Sequence, residues 1–250
     1  MVAEYFDRLG ILIGLMPNLT HLSIVSLETS GVSLWRHLVQ DKDCIPRMAT
    51  HGFTRLQTLC FQIHTIDLGL GEQSAWFLRV ANALLQVPTI RQLRANGATS
   101  EAFALVNGKY NHLESIDITD CILDLEELVQ LTSACTTLKD LACQWAYLDS
   151  LDFNLLDLHS ALSVHKNTLG RPLLDACEVR FGATIFPMQR MGNLHDFTAL
   201  RSLEMCEIAI SASNMFITDF PDQHLSVNLS ELLPPSLERL SILLKLEYGH

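Results

Sequence analysis

Basic residues are scarce in this chain of 250 amino acids: 17 Lys and Arg stand against 28 Asp and Glu, for a net charge of -11. That balance opposes a polyanionic partner unless the basic residues cluster, and along the sequence they do not, so nucleic acid is not the expected ligand. Long apolar runs are missing too, none approaching the ~18 residues that a membrane-spanning helix needs. The opening Met1-Val-Ala-Glu-Tyr-Phe-Asp-Arg has no basic region ahead of its apolar stretch and so does not read as a secretory signal peptide. The expected compartment is therefore the cytosol or the nucleus, with no membrane partner.

Catalytic and cofactor signatures are absent as well. There is no G-x-S-x-G elbow and no G-x-x-x-x-G-K-[ST] loop, and Gly69-Leu-Gly71 lacks the third glycine of a dinucleotide fingerprint. His195-Asp196, and His159 with His165, have no nucleophile or ligand partner at a useful spacing. The seven cysteines form neither C-x-x-C nor a zinc pattern with histidine, so they read as small core residues in a reducing compartment, with Cys121, Cys143 and Cys177 at buried positions. The expectation is a non-enzyme with no catalytic residues, no cofactor, no metal and no small-molecule substrate. An unrecognised hydrolase is the alternative from another class, since distant residues can converge in space.

What is present is a spacing, L-x-x-L-x-L, in eight copies. It reads Leu56-Gln-Thr-Leu59-Cys-Phe61, Leu113-Glu-Ser-Ile116-Asp-Ile118, Leu200-Arg-Ser-Leu203-Glu-Met205 and Leu237-Glu-Arg-Leu240-Ser-Ile242, with further copies from Leu19, Ile90, Leu138 and Leu169. Of the 24 frame positions only Pro172 departs from the apolar pattern, whereas the 24 intervening positions hold only Cys60, Ala142 and Leu173 as apolar residues. Successive copies begin 37, 34, 23, 25, 31, 31 and 37 residues apart, a range in which self-similarity means stacked units. Alternation within each copy is that of a short strand with one buried face. Such strands, recurring without hairpin signals and separated by helix-capable segments, should pair in parallel.

Those segments are Glu4 to Met16, Glu72 to Val87, Leu125 to Ala134 and Leu151 to His165. In the second, Trp76, Phe77, Val80, Ala81, Leu84 and Leu85 form one apolar stripe. The third opens Asp124-Leu-Glu-Glu127, a capping box, which makes Glu126 and Glu127 helix-start charges and not paired catalytic acids. Two excursions, Glu28 to Gly52 with Trp35 and Ser211 to Leu232 with Met215, Phe216, Ile217 and Phe220, interrupt the rhythm.

Eight residues into each copy stand Leu27, His64, Ala98, Cys121, Ala146, Cys177, Ile208 and Lys245. Small residues suit a place where the chain turns off the strand and neighbouring coils crowd. The phrase L-x-x-L-x-L-x-x-C is intact from Leu113 to Cys121, and Leu169 to Cys177 departs from it only at Pro172. At these residues, and in closing phrases such as Leu233-Pro-Pro-Ser-Leu-Glu-Arg-Leu240, the chain resembles the cysteine-containing leucine-rich repeats of F-box proteins, particularly those of filamentous fungi. The resemblance runs from about Met16 to Leu244 and implies an α/β solenoid, a horseshoe with a parallel sheet on its concave side and irregular helices on its convex side. It further implies a module that binds another protein, as the substrate-recognition part of a ubiquitin-ligase adaptor. An F-box itself, opening L-P-x-E, is not present, so a free-standing scaffold is the rival within the binding class. Residues 1–250 read as one domain truncated at its ends, because Glu4 to Met16 looks like the outer helix of a repeat whose strand is missing and Leu237 to Leu244 has no cap after it.

Stacked in register, equivalent polar positions fall into columns about 4.8 Å apart. The first column reads Thr20, Gln57, Arg91, Glu114, Lys139, Gly170, Arg201, Glu238; the second sets Asp140 beside Arg171, and the third sets Arg94 beside Asp117. Six basic and five acidic residues make this face near neutral. Arg91, Arg94, Glu114, Asp117 and Lys139 should form one patch flanked by a loop carrying Trp145 and Tyr147, and these seven are the expected partner-binding residues.

Overall fold

The computed structural model describes residues 8, 12–13, 15–26, 53–63, 84–85, 87–98, 110–146, 148–150, 155–181, 191–206, 209 and 229–244. The excursion from Glu28 to Gly52, nearly all of that from Ser211 to Leu232, and most of the first two expected helices lie outside them. Eight strands form one open, wholly parallel sheet. They are β1 (His21–Ser26), β2 (Thr58–Ile63), β3 (Gln92–Asn96), β4 (Ser115–Cys121), β5 (Asp140–Trp145), β7 (Arg171–Asp175), β9 (Ser202–Cys206) and β10 (Arg239–Leu243). Between them β6 (Leu148–Ser150) pairs in parallel with β8 (Val179–Phe181) as a separate two-stranded sheet that the repeat did not announce. Each large-sheet strand lies beside its predecessor, so the order never reverses. An open α/β sheet places its ligand crevice where the order does reverse, and this sheet has no such point.

Register follows the repeat. Leu59, Leu93, Ile116, Leu141 and Pro172 are successive partners, and Leu203 pairs with Leu240. In the six inner copies every frame residue is buried, Pro172 among them. Pro172 has no N–H to give to a ladder, and the pairing of β7 with β9 begins one residue later, at Leu173 opposite Glu204.

Two backbone devices lock one copy to the next. In six copies the first frame amide closes a tight turn onto the carbonyl three residues back, as Leu56 does on Phe53 at 2.9 Å and Leu200 on Phe197 at 3.1 Å. Each first-column carbonyl from Thr20 to Arg201 then accepts two consecutive amides of the next copy: Arg91 takes Glu114 at 2.8 Å and Ser115 at 3.0 Å, and Lys139 takes Gly170 at 2.8 Å and Arg171 at 3.3 Å. Side-chain hydroxyls reinforce the turns, Thr89 donating to the carbonyls of Phe53 and Leu56, and Thr168 to that of Leu138. These bonds satisfy backbone groups that a short strand leaves over at its start.

Helix α1 (Leu125–Ala134) has the bounds its pattern implies, and α2 (Leu155–Ser163) lies inside its expected span. Glu127 reaches back so that its carboxylate accepts the Asp124 amide at 3.1 Å, which confirms the cap and explains why this acid is buried. Leu125, Leu128 and Leu131 of α1 and Leu155, Leu158 and Leu162 of α2 share the core with the frame leucines. Helices of this length are marginal alone and owe their stability to that packed face. The ends of the two are tied by His165, whose Nε2 lies 3.0 Å from the Thr132 carbonyl. A third, four-residue helix, α3 (Leu229–Leu232), precedes the last copy.

Strand β4 carries one extra residue, since Ile118 opposes Cys143 while Cys121 opposes Trp145. The additional residue is accommodated by Asp120 in the left-handed region at φ 49°, a conformation Asp tolerates, with Asn96 donating to its carboxylate at 3.0 Å. The bulge turns Cys121 inward, where its sulfur lies 3.7 Å from that of Cys143. Cys177 does not share that burial; it is only half-buried, contrary to the expectation for the position.

Candidate functional site

The sheet has two unlike faces. Frame side chains and helices occupy one, whereas the other shows the polar columns. Every ion pair that the column order implied is formed there. Glu114 sits between Arg91 at 3.9 Å and Lys139 at 2.7 Å; Arg94 meets Asp117 at 3.9 Å; Arg201 meets Glu238 at 3.5 Å. Arg171 grips Asp140 with two nitrogens, Nε to Oδ1 at 2.6 Å and Nη2 to Oδ2 at 3.0 Å. The two-pronged pair is the strongest of the set, because it fixes both planes at once. The others are exposed pairs worth roughly 0.2 to 1 kcal/mol each.

Of the expected partner-binding residues, Arg91, Arg94, Glu114, Asp117 and Lys139 come together on the three adjacent copies of β3, β4 and β5. Trp145 requires a correction. It is 2% exposed and its indole Nε1 donates to the Leu123 carbonyl at 2.9 Å, so this residue is part of the core and not a surface anchor. The reason is the parity of β5: Leu141, Cys143 and Trp145 point to the apolar face, and Ala142 and Gln144 to the other. Tyr147 lies outside the described residues.

Beside the expected patch is a feature that the search for charged and aromatic anchors passed over. Ala142 and Leu173 are register partners on the polar face, both half-buried, and together they make an apolar spot edged by the Asp140–Arg171 pair. One residue before Arg171, Gly170 interrupts the first column between Lys139 and Arg201. A Cβ there would meet nothing closer than the Ala199 carbonyl oxygen at 3.5 Å and that of Lys139 at 3.8 Å, which is ordinary contact. The glycine is therefore not demanded by the backbone, and its effect is to leave a gap in a row of long charged side chains. The sequence signal was already visible: two of the three apolar residues that break the polar pattern are Ala142 and Leu173.

Among the described residues no helix is long and apolar enough to cross a membrane. No protein-family model, curated protein or solved structure matches this chain.

Proposed function

We propose that the chain is a leucine-rich-repeat solenoid that binds another protein on the polar face of its sheet, the concave side of a horseshoe, and serves as the substrate-recognition part of an F-box-like ubiquitin-ligase adaptor. The observation that carries the binding role is the composition of that face: paired charges of both signs, in register across successive strands, surround the apolar spot at Ala142 and Leu173 and the gap at Gly170. A small apolar patch ringed by oriented charges suits a protein segment that inserts one side chain and aligns polar groups around it. The link to ubiquitin rests on the resemblance of the repeats alone, and an F-box encoded upstream in the complete gene is what it requires.

The test is affinity purification from the native cell with quantitative mass spectrometry, comparing wild type with two altered surfaces. Gly170→Lys combined with Leu173→Glu fills the gap and charges the spot, while Val164→Lys alters an exposed residue just after α2. Partners retained by the Val164 variant and lost by the face variant support the reading. Equal recovery by both variants overturns it.

A further inference from the structure

A second cluster lies at the carboxyl ends of β7 and β9, where Asp175, Cys177 and Cys206 bring one carboxylate and two thiols within 4.8 Å of one another. The cysteine sulfurs are 3.4 Å apart, and Cys206 Sγ is 3.8 Å from Asp175 Oδ1. Tetrahedral zinc, with sulfur at about 2.3 Å and oxygen at about 2.0 Å, separates two such sulfurs by about 3.8 Å and a sulfur from an oxygen by about 3.5 Å. Those two separations need shifts of only a few tenths of an ångström, and the third, from Cys177 to Asp175, lies within 4.8 Å.

The surroundings are built for the same task. Gln144 donates to Asp175 Oδ2 at 3.1 Å and the Cys177 amide to Oδ1 at 3.0 Å, contacts that hold the carboxylate with Oδ1 beside the sulfurs, as outer contacts orient a ligating carboxylate. The Ala176 amide donates to Cys206 Sγ at 2.8 Å, a bond that favours the anionic form of the sulfur. The other thiol pair, Cys121 with Cys143, differs in both respects that matter, being fully buried and having no carboxylate in a comparable cluster among the described residues. The ligands come from two successive copies, Cys206 lying 29 positions after Cys177, so no short spacing joins the two thiols.

We infer that Asp175, Cys177 and Cys206 form a binding site for Zn²⁺, with three protein ligands and water in the fourth position. The donor set selects the ion: two thiolates disfavour Ca²⁺ and Mg²⁺, the carboxylate disfavours Cu⁺, and an iron–sulfur cluster needs more cysteines. Uptake displaces one proton from each thiol, so affinity rises with pH and binding releases acid.

The experiment titrates Co²⁺ as a spectroscopic stand-in into the reduced, purified chain and then displaces it with Zn²⁺. Wild type should bind one equivalent with thiolate-to-cobalt charge transfer and tetrahedral d–d bands, releasing two protons per metal. Cys177→Ser and Cys206→Ser should lose the charge-transfer band, Cys60→Ser should keep it, and Gln144→Leu should weaken affinity by about tenfold. Zinc should raise the melting temperature of wild type and not that of Asp175→Asn, each compared with its own metal-free form. Absence of the charge-transfer band in reduced wild type, or its survival in Cys177→Ser together with unchanged zinc stabilisation of Asp175→Asn, overturns the site.

Discussion

Ile118 and Ile242 stand at the same place in the fourth and eighth copies, yet Ile118 is 0% exposed and Ile242 is 39% exposed. Their neighbours differ more than their sequences do. Strand β4 has β3 on one side and β5 on the other, whereas among the described residues β10 is paired with β9 alone. Leu113 and Ile116 are likewise buried where Leu237 and Leu240 are only half-buried. The pattern L-x-x-L-x-L thus specifies which face is apolar, and the next copy in the stack completes the burial. Stability in such an array behaves as a sum of unit and neighbour contributions, so equal substitutions should have unequal effects along it.

The largest expected effect tests that inequality directly. Ile118→Ala should cost about 2 to 5 kcal/mol, and Ile116→Ala or Leu203→Ala a similar amount. Ile242→Ala should cost about 1 kcal/mol, since much of its side chain is already in water. Denaturant unfolding of both variants measures the gap, and equal losses would break the comparison between inner and edge copies.

A second contrast is chemical. The inner stack buries ionisable groups that the described residues of the last copy lack: Tyr110 is bridged to Cys135 at the end of α1, and burial pushes both up to about 12 from ordinary values of 10.0 and 9.0. The unfolded chain therefore releases these protons first as pH rises, which makes the number bound smaller in the unfolded state than in the folded one. Stability should fall as pH climbs from about 9 toward 12, by up to about 1.4 kcal/mol per pH unit for each group. Cys135→Ala should flatten the slope near pH 9 to 10 when unfolding is followed against pH. An unchanged slope would mean that the thiol is not held neutral by the fold.

The two regions also differ in what their sequences disclosed. In the large sheet, strand existence, parallel pairing, register and the ion pairs were all legible, because a period-two pattern repeated eight times leaves little freedom in which residue meets which, whereas the small β6–β8 sheet carries no such pattern. Helix α1 was legible to its last residue, since the capping box marks its start. The Asp120 bulge was not, for it arises from a one-residue mismatch between neighbours and not from any motif. Trp145 misled for a related reason: the extra residue lies in β4, so β5 keeps its alternation through Trp145 and sends the indole inward. The tight turns that open the copies had left a trace, an apolar residue three places before the first leucine, as in Phe53, Val87, Tyr110 and Phe197. The thiol–carboxylate cluster left none, because its members are assembled by stacking.

The smallest expected effect bears on what the polar face is for. Arg94 and Asp117 are 3.9 Å apart and both exposed, with side-chain exposures of 60% and 42%, so water and salt screen their attraction. Arg94→Asp alone sets two carboxylates side by side on neighbouring strands and should cost up to about 1 kcal/mol, less at high salt. Combining it with Asp117→Arg restores opposite charges in reversed order, and stability should return to within about 0.5 kcal/mol of wild type. If the double variant stays as unstable as the single, the two residues do more than pair with each other, and the inner copies depend on their polar face as well as on their core. If stability returns while partner binding falls, the order of charge along β3 and β4 is what a ligand reads. A sheet held together by interchangeable pairs has no preference for that order, whereas a docked protein, whose own charges are fixed in place, does.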